Sequence, residues 1–267
     1  MFNWREKKTP ILLVFMLINF ALLEVDVLMA HSENRFFRFE LIPVIYAPFA
    51  VLAIFALILT KQRWARKLFD TSMYLGVVIG ILGTFFHLAG NGVSNRQPLY
   101  DLLVAGSPVA APIAFAGLSL FTLETVRDAG SGRRARLLVL AGLGFLGAVI
   151  AAFFDHAKLG FVPVYTIIPL ISGMLGAMVC FWEAAHSTDK QQRYVFWAVL
   201  GLNMATGILG FGFHVLGDWA GTHSLVLSRF LYRDPTLAPL LFCSMPLLGA
   251  LSVIPEPGDD AVALHAK

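Results

Sequence analysis

Four histidines stand at related places along this chain. His87 and His214 are each preceded by a phenylalanine (Phe86, Phe213) and followed three positions later by a glycine (Gly90, Gly217). His31 and His156 are each followed five positions later by a phenylalanine, Phe36 and Phe161. Imidazole is a favoured ligand of haem iron, copper, zinc and non-haem iron. The set therefore predicts one of two centres: paired histidines gripping one or two haem b groups, or a compact multi-histidine site for Cu, Fe or Zn. Asn91 and Asp218 follow His87 and His214 by four residues, one helical turn on, where they either orient the imidazoles or cap their helices. Asp155 adjoins His156, and Glu24 and Asp26 lie one to two turns before His31. Ionisable groups in an apolar run are costly. They are read as secondary ligands, proton carriers or quinone contacts, against the plainer alternative of internal pairs with Arg or His.

Other chemistry is not signalled. There is no Gly-rich phosphate loop, no Cys-x-x-Cys-His, no Gly-x-Ser-x-Gly and no His-Glu-x-x-His. Cys180 and Cys243 fall inside apolar runs, which supports packing and neither a disulfide framework nor a thiolate metal site.

The elements that must carry these residues are membrane helices. The 267 residues are 58% hydrophobic and 14% charged, against about 25% charged in soluble domains. Eight apolar runs, approximately 10–31, 40–60, 70–90, 107–125, 136–157, 164–184, 194–218 and 235–254, approach the roughly 20 residues a bilayer crossing needs. The expected fold is all-α, a polytopic helix bundle. The first run, although preceded by basic residues, lacks a clean small-x-small cleavage pattern and is read as retained.

The net charge of +3 does not point to nucleic acid. With the N-terminus inside, Arg35, Arg38, Arg96, Lys158, Arg229 and Arg233 fall outside the membrane, and the other fourteen of the 20 Lys and Arg fall within. That bias places both termini in the cytoplasm, with the plasma (bacterial inner) membrane as the location. Trp4, Trp64, Trp182 and Trp197 mark the inner boundary and Trp219 the outer.

The runs repeat. Gly80-Ile81-Leu82-Gly83 returns as Gly207-Ile208-Leu209-Gly210, and Pro108, Ala111, Pro112, Phe115 and Leu120 return as Pro235, Ala238, Pro239, Phe242 and Leu247, always 127 residues on. The offset is 126 for Ile42-Pro43 and Ile168-Pro169, and 125 for His31 and His156. Two four-helix units are thus expected, 1–131 and 132–267. Four is even, so both units enter the membrane in the same direction, as parallel repeats. At 1.5 Å per residue, the four histidines come to a common level about 25 to 32 Å along their helices. The longer outer joints, about 91–107 and 219–234, hold Arg96, Arg229 and Arg233, which either meet haem propionates or a docking partner or are simply solvated.

The functional expectation is a haem- or metal-binding electron-transfer protein with an outer-face histidine cluster. Its expected partners are the bilayer, quinone and a periplasmic or extracellular redox subunit, with membership of a larger membrane complex as a further expectation. The alternatives are a small-solute or ion transporter built from parallel repeats, and a non-catalytic membrane anchor or assembly subunit.

Overall fold

The computed structural model describes residues 4–32, 36–60, 62–93, 103, 104, 106, 108–127, 132–186, 190–220 and 237–254. Among these there are eight α-helices: α1 Trp4–Ser32, α2 Leu41–Thr60, α3 Arg63–Val93, α4 Ile113–Val126, α5 Arg133–Ala157, α6 Ile168–Ala185, α7 Lys190–Ala220 and α8 Leu241–Ser252. Short 3-10 turns, Val164–Ile167 and Ala238–Leu240, lead into α6 and α8. Six helices, α1, α2, α3, α5, α6 and α7, are long and apolar enough to cross a membrane. Their outward faces carry large apolar side chains, with Ile45, Leu59, Phe85 and Met178 each more than 60% exposed. Such a surface suits lipid as its solvent.

The remaining two helices are shorter than the apolar runs that contain them. Runs of 107–125 and 235–254 become α-helices of 14 and 12 residues. The cause lies at their leading ends. Proline has no N–H to give and its ring clashes with the preceding turn, so regular helix begins only after Pro112 in one case and after Pro239 in the other.

Helix packing forms two closed rings. In one, α1 and α3 each pack against both α2 and α4; in the other, α5 and α7 each pack against both α6 and α8. The rings meet where α4 packs on α5 and α1 on α8. In both rings the tightest approach is built on glycine. A Cβ on Gly80 would lie 2.6 Å from the Ala116 nitrogen and 2.9 Å from the Pro112 oxygen. A Cβ on Gly207 would lie 2.9 Å from both the Cys243 nitrogen and the Pro239 oxygen.

Two buried cations join the rings at the end where the odd-numbered helices begin, here termed the basic end. Lys8 of α1 donates from Nζ to the Ser252 and Ile254 carbonyls beyond α8, at 3.1 and 2.8 Å. Arg133 of α5 donates to the Thr125 carbonyl at the end of α4. Both side chains are at most 5% exposed. Each satisfies carbonyls that a helix end leaves unpaired and lies at the negative pole of its dipole. Lys8 and Arg133 are 125 residues apart, as His31 and His156 are.

Each ring also holds a buried polar contact at mid-height, made with opposite residues. In the first, the Tyr46 hydroxyl donates to the Ser72 carbonyl at 3.1 Å and lies 3.3 Å from the Ser119 hydroxyl, filling the space that Gly76 leaves open. In the second, Asn203 stands where the repeat has Gly76, and its amide donates to the carbonyls of Ser172, the counterpart of Tyr46, at 2.8 Å and of Val199 at 3.0 Å.

Candidate functional site

At the opposite end of the bundle, the histidine end, helix termini bring the predicted histidines together in pairs. α1 and α3 are diagonal in their ring, and His31 and His87 meet across it with ring centroids 6.4 Å apart and planes at 82°. His156 and His214 lie on the diagonal helices α5 and α7 and within electrostatic reach of one another. The two helices that carry the first histidine of each pair end in the same way. The N–H of Phe36 donates to the His31 carbonyl at 3.3 Å and that of Phe161 to the His156 carbonyl at 3.0 Å. Both phenylalanines take left-handed backbone, with φ of 54° and 57°, a conformation uncommon outside glycine. These closed ends hold His31 and His156 in the last turn of α1 and α5.

His87 is oriented further. Its Nδ1 lies 3.0 Å from the Pro108 carbonyl. A carbonyl only accepts, so Nδ1 carries the proton and Nε2 keeps its lone pair for a ligand. His31 Nδ1 stands 3.8 Å from the Glu40 carboxylate, which itself accepts the Phe37 N–H at 3.0 Å. In the second ring, Nδ1 of His214 is buried without a hydrogen-bond partner among the described residues. Stacked aromatics flank both pairs at equivalent places: Phe39 on Phe86 at 5.8 Å, and Tyr165 on Phe213 at 5.3 Å.

The accessory residues divide. Asp26 and Asp155, on α1 and α5, are within electrostatic reach of each other where the rings adjoin. Asp155 also receives Lys158 at 3.0 Å. One carboxylate oxygen of Glu24 is buried without a hydrogen-bond partner among the described residues. Asn91 and Asp218 belong to α3 and α7, but their side chains lie outside the described residues, as do Arg96, Arg229 and Arg233.

These placements bear on the two expected centres. Among the described residues, no three His, Cys, Asp or Glu side chains converge on a common point, which a bare zinc or copper ion would ask for. A pair of imidazoles is instead the complement of a porphyrin, whose iron has its four equatorial positions filled and two axial ones open. His31 and His87, with ring centres 6.4 Å apart, are of the donor type that haem iron takes. One turn beyond, Gly90 and Gly217 present no side chain, and a Cβ there would meet no described atom within 4 Å. The residues present fit a flat group with two axial ligands.

Sequence spacing found the histidines but not Glu40, whose approach to His31 depends on the turn between α1 and α2. Lys8 and Arg133 were countable as charges at a membrane boundary, yet both are buried. Their shared offset of 125 was the signal that marked them as a pair. Compared with known proteins, the chain matches no family model, no curated protein and no solved structure.

Proposed function

We propose that this protein is a membrane electron-transfer protein of eight membrane-crossing helices in two parallel repeats, 1–131 and 132–267, with one haem b held in each. His31 and His87 would hold it in the first repeat, and His156 and His214 in the second. The observation that carries the proposal is the approach of His31 and His87 across diagonal helices at 6.4 Å, with the second pair on the corresponding helices. Bound there, haem b supplies reversible one-electron chemistry at a potential set by burial and hydrogen bonding.

The chain's own residues define the rest of the site. The Pro108 carbonyl fixes the His87 tautomer, and Phe86 and Phe213, next to His87 and His214 in the chain, stack on Phe39 and Tyr165. Glu24, Asp26 and Asp155 are the groups able to take up or release a proton as quinone is reduced or quinol oxidised. The bias of Lys and Arg supports a cytoplasmic basic end, so the histidine end faces the periplasm or exterior, where a redox subunit docks. A transport route is less well supported. Its polar lining is expected at mid-height, and there Tyr46 and Asn203 are engaged with backbone carbonyls.

The test is a reduced-minus-oxidised visible spectrum of detergent-purified protein, with pyridine haemochrome and metal analysis. About two haems per chain are expected, and a chain with neither haem nor stoichiometric metal refutes the proposal. His87→Ala is expected to abolish or shift the signal of one haem and leave the other. An unchanged spectrum removes His87 from the site.

A further inference from the structure

A cavity of about 210 Å³ opens between α3 and α4 at the basic end, far from the histidines. From α3 it is lined by Arg66, Asp70 and Tyr74, and from α4 and its C-cap by Leu120, Leu123, Glu124 and Arg127. The helices run in opposite directions, so charged residues gather toward the basic end and Tyr74 and Leu120 lie beyond them. Both guanidinium groups fold back to the carboxylate level: Arg66 Nε donates to both Asp70 oxygens at 3.0 Å, and Arg127 donates to Glu124 at 3.2 Å. One turn deeper stand Tyr74 and Leu120, which are 60% and 42% exposed and face the lipid zone.

This cavity offers both signs of charge at one level and an apolar wall above them. Glu124 is nearly saturated, since Arg136 also donates to it at 2.7 Å and its side chain is 7% exposed. Asp70 is 35% exposed and Arg127 63%, so one carboxylate and one guanidinium remain open to a ligand. The second ring does not repeat the set. At the places 127 residues on stand Arg193, Trp197, Gly201, Leu247, Leu251 and Ile254. Of the four charged residues only the arginine of α3 is kept, as Arg193, so the charged lining is not part of the scaffold that both rings share.

We propose that this cavity binds the head group of a phosphatidylethanolamine-type lipid. Arg127 receives the phosphate, for which guanidinium is well shaped. Asp70 receives the primary ammonium, Tyr74 hydrogen-bonds the glycerol ester region, and the acyl chains run along Leu120. Basic pockets between membrane helices at this level are recognised sites for phospholipid head groups. The adjacent carboxylates select against a purely anionic lipid, and the need for an N–H donor at Asp70 selects against phosphatidylcholine. The inference stands independently of any haem.

The experiment is native mass spectrometry of the full chain, delipidated and then titrated separately with phosphatidylethanolamine, phosphatidylcholine and phosphatidylglycerol of matched acyl chains. One phosphatidylethanolamine per chain is expected at concentrations where the other two bind about tenfold less, the scale of one lost charge-assisted contact. Arg127→Ala and Asp70→Asn are each expected to lower that occupancy by roughly the same factor. Arg193→Ala, at the corresponding place in the other ring, leaves it unchanged. Arg127 is exposed enough that its removal leaves the fold intact, which helical circular dichroism verifies. Equal or stronger binding of phosphatidylglycerol, equal binding of phosphatidylcholine, or full occupancy in Arg127→Ala overturns the assignment.

Discussion

Lys8 and Arg133, two buried cations that join the halves of the molecule, count backbone carbonyls among their partners. Such bonds are charge-assisted, and their loss leaves the acceptors unpaired. Lys8→Met and Arg133→Met are each expected to lower stability by about 1.5–3 kcal/mol, measured by unfolding in mixed micelles. Lys8→Arg, which keeps the charge, should recover most of the loss. An unchanged midpoint in Lys8→Met shows that the bonds at 3.1 and 2.8 Å do not contribute. At this scale the histidines were legible from spacing, because a repeat placed them on equivalent turns. The His31–Glu40 approach was not, since it depends on a backbone reversal through left-handed Phe36, a conformation that phenylalanine does not announce.

The helices α3 and α7 are held to α4 and α8 by contacts with no room for a side chain. Gly80→Val places branched carbons where even a Cβ lies 2.6 Å from the Ala116 backbone. Overpacking of this kind costs typically 1–3 kcal/mol, and the neighbour here is backbone, which cannot swing aside. Gly80→Val and Gly207→Val are therefore both expected to destabilise, by about 2 kcal/mol or more. Gly90→Ala, in a place with no described atom within 4 Å, should be nearly neutral. Thermal unfolding in one detergent compares the three. The existence and order of the elements were readable from apolar length. What was not readable was how much of the fourth and eighth runs is regular helix. Prolines that mark a helix start in the sequence also delay it, and hydropathy does not count that delay.

For the whole molecule, the proposed parallel repeats predict which points share a side of the membrane. Phe37 and Lys158 stand at the histidine end of the two rings and are exposed, as are Gln62 and Arg127 at the basic end. In a chain with Cys180 and Cys243 replaced by serine, single cysteines at Phe37 and Lys158 should react with a membrane-impermeant maleimide added to intact cells. Cysteines at Gln62 and Arg127 should react only after permeabilisation. Labelling of Phe37 and Lys158 from opposite sides rules out the parallel arrangement. The repeat was visible in the sequence through glycines, prolines and histidines. Its asymmetries were hidden, because Tyr46 over Gly76 and Ser172 beside Asn203 look unrelated until their shared height is known.

The reciprocal caps also constrain the order in which the molecule can be completed. Arg133 finds the end of α4 almost as soon as it is made, only eight residues away. Lys8 cannot meet the carbonyls of Ser252 and Ile254, 244 and 246 residues on, until α8 has been made. A chain interrupted anywhere before α8 carries Lys8 without these two carbonyls, so a premature stop is felt at the start of α1.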